Sequence, residues 1–90
     1  MFTNDLKKGD YVHQQNGWDA RIEDNLKGNT RLCTVWGFET EMGSIYSHDI
    51  VYAYKDSKGM TIDQARKQPH VPIEYTESQL KCRQQTSNIW

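Results

Sequence analysis

Ser47-His48-Asp49 sets a hydroxyl, an imidazole and a carboxylate side by side, the three groups of a nucleophilic triad. That chemistry needs the imidazole between the other two, within about 2.6–3.2 Å of each. In a strand, Ser47 and Asp49 share one side and His48 takes the other, so the trio does not converge. Ser47 and Asp49 are expected to make local turn hydrogen bonds, with His48 exposed. His13, His48, His70, Cys33 and Cys82 show no C-x-x-C or H-x₃-H spacing, and no metal is expected. Gly28, Gly37 and Gly43 stand singly, so no glycine-rich loop leads into a helix to cradle phosphate. Glu39 and Glu41 lie on one strand face in a solvated context unsuited to acid–base work. The chain is expected to be non-enzymatic, with no catalytic residue and no cofactor.

What remains is a binding surface. Arg21 and Arg31 lie diagonally across one face of a hairpin, with Lys27 at its tip. Arginine forks suit bidentate recognition of phosphate or carboxylate. Trp36, Tyr46 and Tyr52 are candidate stacking planes, and His48 completes the expected ligand-binding set. The alternative is a solvated face in which Asp19 and Glu23 neutralise the two arginines.

These residues must be positioned by the hairpin Trp18 to Trp36. With the turn at Asn25 to Asn29, Asp24 pairs with Thr30, Ile22 with Leu32, Ala20 with Thr34 and Trp18 with Trp36. This register puts the apolar residues on one face and sets Glu23 against Arg31 on the other. Upstream, residues 1–8 are a lead-in in which Phe2 and Leu6 plug one end of the fold. Residues 11–15 form a first strand, and Asn16-Gly17 is a strong hairpin signal. Downstream, the chain bends at Gly43-Ser44, 45–48 is a short strand and 49–54 the last one. Ile50, Tyr52 and Tyr54 lie on one face of it, with Val51 and Ala53 on the other. Apolar character on both faces calls for a cover, for which the C-terminal segment is the candidate. Thr61 to Gln64 and Thr76 to Gln79 have capping-box spacing, and Pro69 ends the first short helix near Gln68. The second helix, about 77–86, has a poor apolar stripe. The expected fold is mainly β: a small five-stranded SH3-like barrel over residues 1–54, with short C-terminal helices in an extension over 55–90 that packs on the barrel or on a partner subunit.

Ninety residues make one small domain with a thin core, burying about 60–65% of its unfolded surface. Eleven basic and twelve acidic residues give a net charge of −1, which disfavours coating of a nucleic-acid duplex. Nothing resembles a signal peptide or approaches the roughly 20 apolar residues that span a bilayer, so a cytoplasmic location is expected. Two free thiols fit that compartment; a Cys33–Cys82 disulfide is the alternative. The Ile89-Trp90 end is either an intramolecular plug or an anchor in a neighbouring subunit, and self-association is expected.

The run LKKGDYVHQQNGWDARIEDNLKGNTRLCTV resembles a KOW-type small barrel, in which a G-D-x-V strand leads into a glycine-bearing hairpin. Here Gly9-Asp10-Tyr11-Val12 and Gly17 through Val35 carry the likeness, over about a third of the chain. The runs GWDARIEDNLKGNTRL and GFETEMGSIYSHDIV also resemble small uncharacterised proteins of tailed phages, notably those infecting marine cyanobacteria. The resemblance implies a binding module. The function expected is a phage accessory protein, in the host cytoplasm, that binds a host protein or sequesters a small anionic, nucleotide-like ligand. The alternative is a KOW-like module for RNA or single-stranded DNA, from whose usual versions the balanced charge departs.

Overall fold

Among the described residues, alternating apolar and polar residues between turn signals produce six strands in one antiparallel sheet. A computed structural model describes residues 1–25 and 30–81 of it; Lys27, Cys82, Ile89 and Trp90 lie outside the described residues. The strands are β1 (Tyr11–Gln14), β2 (Asp19–Asp24), β3 (Thr30–Trp36), β4 (Thr40–Tyr46), β5 (Ile50–Tyr54) and β6 (His70–Pro72). Their order is β4-β3-β2-β1-β5-β6, and the edge strands do not pair with each other, so the sheet is open. One turn of helix, α1 (Ile62–Ala65), precedes β6; 3-10 turns occupy Thr3–Asp5 and Ser47–Asp49, and residues 77–81 are helical. No described helix is long and apolar enough to cross a membrane.

Local signals act as their chemistry dictates. Gly17 takes φ +92°, Asn16 Oδ1 accepts from the Trp18 amide at 2.9 Å, and the tight turn joins β1 to β2. Thr61 and Gln64 exchange both bonds of a capping box at α1, and Thr76 and Gln79 do the same at 77–81. Gly43-Ser44 does not bend the chain: both lie inside β4, and the bend falls instead at residues 37–39.

The β2–β3 pairing differs from the expected register. Asp19 faces Trp36, Ala20 faces Val35, Arg21 faces Thr34 and Ile22 faces Cys33, after which an irregularity shifts Asp24 to Leu32. One residue of slip turns the whole of β3 over. Cys33 joins Ala20 and Ile22 in the core, with Val35 at its margin, while Trp36 moves to the opposite face. Charge misleads at Arg31, which is fully buried. Its guanidinium donates to Thr30 O at 2.9 Å, Asn4 Oδ1 at 2.8 Å and Thr3 Oγ1 at 3.4 Å. Burial lowers its pKa, and these oxygens offset the desolvation. Glu23, expected opposite Arg31, instead bonds Arg21 and Thr34.

Apolar clusters occupy both faces of the sheet. The inner one joins Leu6, Val12, Ala20, Ile22, Cys33, Ile45, Ile50, Ala53 and Ile73. Phe2, the other expected plug, stays half exposed. The outer cluster sets Tyr11, Tyr54 and Ala65 with Trp36, Tyr52, Met60 and Ile62, so the chain after β5 provides the cover that β5 requires. Ile50 belongs to the inner cluster with Ala53, not with the two tyrosines, because the β1–β5 ladder shifts between His13 and Gln14. Buried Ser57 accepts from the Tyr11 amide at 3.0 Å, and Tyr11 Oη donates to Met60 O at 2.6 Å.

Burial pushes the Cys33 thiol up to about 12. Iodoacetamide at pH 8 should therefore leave Cys33 unlabelled in the folded protein and label it in denaturant, as read by peptide mass mapping.

Candidate functional site

The outer face is organised by a carboxylate. Asp19 opens β2 opposite His13 of β1 and is almost wholly buried. Its Oδ1 accepts from His13 Nδ1 at 2.7 Å and from Tyr54 Oη at 2.6 Å, and its Oδ2 accepts from Arg66 Nε at 2.8 Å. Burial alone raises the carboxyl pKa, but the bonds from Tyr54, Arg66 and His13 outweigh it and hold the group below its ordinary value. The same contact raises the Arg66 pKa, while burial and then the Asp19 bond push Tyr54 upward. Tyr52 lies between two imidazoles, with its ring 4.7 Å from His13 and 3.8 Å from His70, nearly parallel to both. The bond to Asp19 fixes the His13 ring, and the stack fixes Tyr52.

Beside this network lies Arg21. Its guanidinium carbon sits 5.5 Å from the Trp36 ring and 5.8 Å from the Tyr11 ring. Both Nε and Nη2 donate to Glu23 Oε2, at 3.0 and 2.9 Å. Thr34 Oγ1 also donates to that oxygen at 2.6 Å; this bond, then Arg21, lowers the Glu23 pKa. A shallow hollow of about 440 Å³ opens here, lined by Lys8, Gly9, Arg21, Glu23, Lys58, Gly59 and Met60.

A third region lies on the inner side, past the apolar core. Trp18 follows the first turn, and its indole lies flat on Gly37: a Cβ at Gly37 would meet that ring at 2.7–2.8 Å. Phe38 stands edge-on to Trp18 with ring centres 5.4 Å apart, and is 96% exposed. From this pair a groove of about 290 Å³ runs between the first turn and β4, past Gln14, Val35, Glu41 and Ile45 to Tyr46 and Asp49.

The expected ligand-binding set therefore separates. Arg21, Trp36 and Tyr52 belong to the outer face; Arg31 is buried on the inner side. Tyr46, the last residue of β4, pairs with Thr30 next to the buried Arg31 and stacks on His48 with ring centres 5.1 Å apart. His48 is half-buried, not exposed, because Ser47–Asp49 is a 3-10 turn where strand alternation does not apply. Ser47 is buried and accepts from Gln79 Nε2 at 3.3 Å, and Asp49 accepts from Gln15 Nε2 at 2.7 Å. Among the described residues no group of three or more His, Cys, Asp or Glu side chains is placed to hold a metal. Sequence reasoning missed the Asp19 network and the Phe38 patch. The first was readable from Asn16-Gly17, since a tight turn there sets His13 opposite Asp19. The second needed the bend at residues 37–39.

No protein-family model, curated protein or solved structure matches the chain.

Two substitutions probe these arrangements. Asp19→Asn removes a buried charge from three donors and should cost about 3 kcal/mol in urea unfolding. With its carboxyl pKa lowered by folding, Asp19 adds stability that is full above the ordinary carboxylate range and is lost as pH falls through the folded value. Unfolding midpoints followed into acid should fall more steeply for the native chain than for Asp19→Asn. Gly37→Ala should displace the Trp18 indole at about 1–3 kcal/mol, seen as a moved indole N–H resonance in NMR.

Proposed function

We propose that this protein is a non-enzymatic binding module that docks another protein, in keeping with an accessory role in a phage-infected cell. The observation that carries the reading is Phe38, 96% exposed and edge-on to Trp18, with Met42 (68%) and Tyr46 (55%) also exposed nearby in the chain. Large rings left in water at the mouth of a groove are the usual anchors of a protein interface. The strand order β4-β3-β2-β1-β5, in which β1 holds both β2 and β5, is what a five-strand meander takes as it bends towards closure. It supports the likeness to a KOW-type, SH3-like unit, to which β6 is an addition.

A second reading, a small anionic ligand, rests on the hollow that brings Lys8 and Lys58 to Arg21 with only Glu23 against them. It is the weaker of the two, because Arg21 already spends two donors on Glu23, and Arg31 is buried on the other side of the sheet. The same few cations would serve RNA or single-stranded DNA, with affinity that falls with salt.

Affinity capture from host cells, followed by rebinding of the purified partner, separates these readings. Phe38→Ala should weaken the partner's affinity about tenfold or more, with Arg21→Ala unchanged. Native mass spectrometry showing a retained small anion that is lost in Arg21→Ala, with Phe38→Ala indifferent, would transfer the function to the hollow.

A further inference from the structure

The sheet ends differently on its two sides. β6 has three residues, includes Pro72, and is followed by Glu74, which bridges to Phe2 of the N-terminal segment. Proline and a covering segment are how sheet edges are blunted. β4 has seven residues, with no proline and no lysine. Among the described residues, its backbone bonds only to β3. A long edge strand with unpaired amides and carbonyls is a template for one more strand.

The surroundings define what that strand carries. Pairing of Val35 with Glu41, Cys33 with Gly43 and Arg31 with Ile45 puts Glu41, Gly43 and Ile45 on the inner face. A Cβ built on Gly43 would meet nothing within 4 Å, so the middle of β4 has open space on the groove side. Gly43 is not at positive φ, so backbone conformation does not demand glycine there. Glycine in a strand often marks the close approach of another chain. Gln14, 5% exposed, lines the same groove, and its Nε2 has no hydrogen-bond partner among the described residues. A buried donor left without an acceptor is costly, and a small turn of the carboxamide would present it to a backbone carbonyl in the groove. Among the described residues, the groove and its Phe38 end are lined by Glu39, Glu41 and Asp49 and by no lysine or arginine. Glu39 and Glu41 are exposed and make no ion pair among the described residues.

We infer that β4 takes an extended, lysine- or arginine-bearing segment of the partner protein as a seventh strand. On the side of the segment that faces the groove, an apolar side chain enters the space over Gly43 beside Trp18, and a cation two positions along lies against Glu41, with Glu39 at the bend beyond it. This rests on the protein-docking reading above and adds the conformation and charge of the segment. A second copy of the chain fits less well, since its own β4 and the bend before it would bring two further carboxylates and no cation.

The test is an NMR titration of isotope-labelled protein with the acetylated, amidated hexapeptide Thr-Val-Thr-Val-Thr-Lys, whose valines and lysine share one face and so oppose Ile45, Gly43 and Glu41 in an antiparallel pairing, beside its counterpart with glutamate in place of the lysine. Shifts should concentrate at Thr40–Tyr46 and the Trp18 indole, with the lysine peptide binding at least about tenfold tighter. Gly43→Val suits a strand and fills the open space. It should keep the unfolding midpoint and weaken the peptide about tenfold, whereas Glu39→Gln with Glu41→Gln should weaken it and flatten its salt dependence. Shifts mapping elsewhere, equal affinity for the two peptides, or a Gly43→Val protein that folds and binds normally would overturn the inference. So would sedimentation showing that β4 is already covered by a second copy. If any of these occurs while Phe38→Ala still weakens partner binding, the strand-addition inference falls and the docking module stands. Loss of both removes the reading altogether.

Discussion

The buried carboxylate of Asp19 is the constraint on which the outer half of this structure depends. One side chain ties β1 through His13, β5 through Tyr54 and the chain after α1 through Arg66, three segments distant in sequence. A carboxylate taken out of water requires its acceptor sites to be filled, so each donor is held by the energy of leaving the charge unpaired. The ring stack follows from that bond. With His13 fixed, Tyr52 has a plane to lie on, and His70 of β6 closes the stack from the other side. The sixth strand is thus attached by its ladder to β5 and also by the rings aligned under Asp19's control.

The inner half depends on a second buried charge used differently. Arg31 sends its guanidinium to Thr3 and Asn4 and so draws the N-terminal 3-10 turn onto the sheet. Leu6 arrives in the core as part of that arrangement. Two charged side chains, one on each face, therefore recruit the segments that cover each face, and the apolar clusters form beneath them.

This explains which features were legible in the sequence. Asn16-Gly17, both capping boxes and the two-sided apolar character of 50–54 each depend on neighbours within a few residues, and each took the expected form. The β2–β3 register depends on something remote. Nothing within the hairpin says that Asn4 and Thr3 will supply oxygens to Arg31, and without them a buried guanidinium is the wrong choice. The rule that charge faces water therefore turned β3 over and carried Arg31 into the expected binding face. Glycine permits a bend, yet at Gly43 the backbone is extended. Its lack of a side chain counts only once β4 is known to be an edge. The site was less legible than the fold for the same reason: Phe38 and Trp18 meet through a bend that no local pattern specifies.

The unlike edges of the sheet limit how this protein can associate. A sheet free at both edges can be extended from both, and copies can then add without end. Among the described residues, the β6 side is stopped by Pro72 and the N-terminal bridge, and the β4 side is the one left open. Under the strand addition proposed above, growth would close after one event: each chain would be a terminus, never a link. A sheet that offered one bare edge to a partner would by this asymmetry be kept from forming a fibre through it.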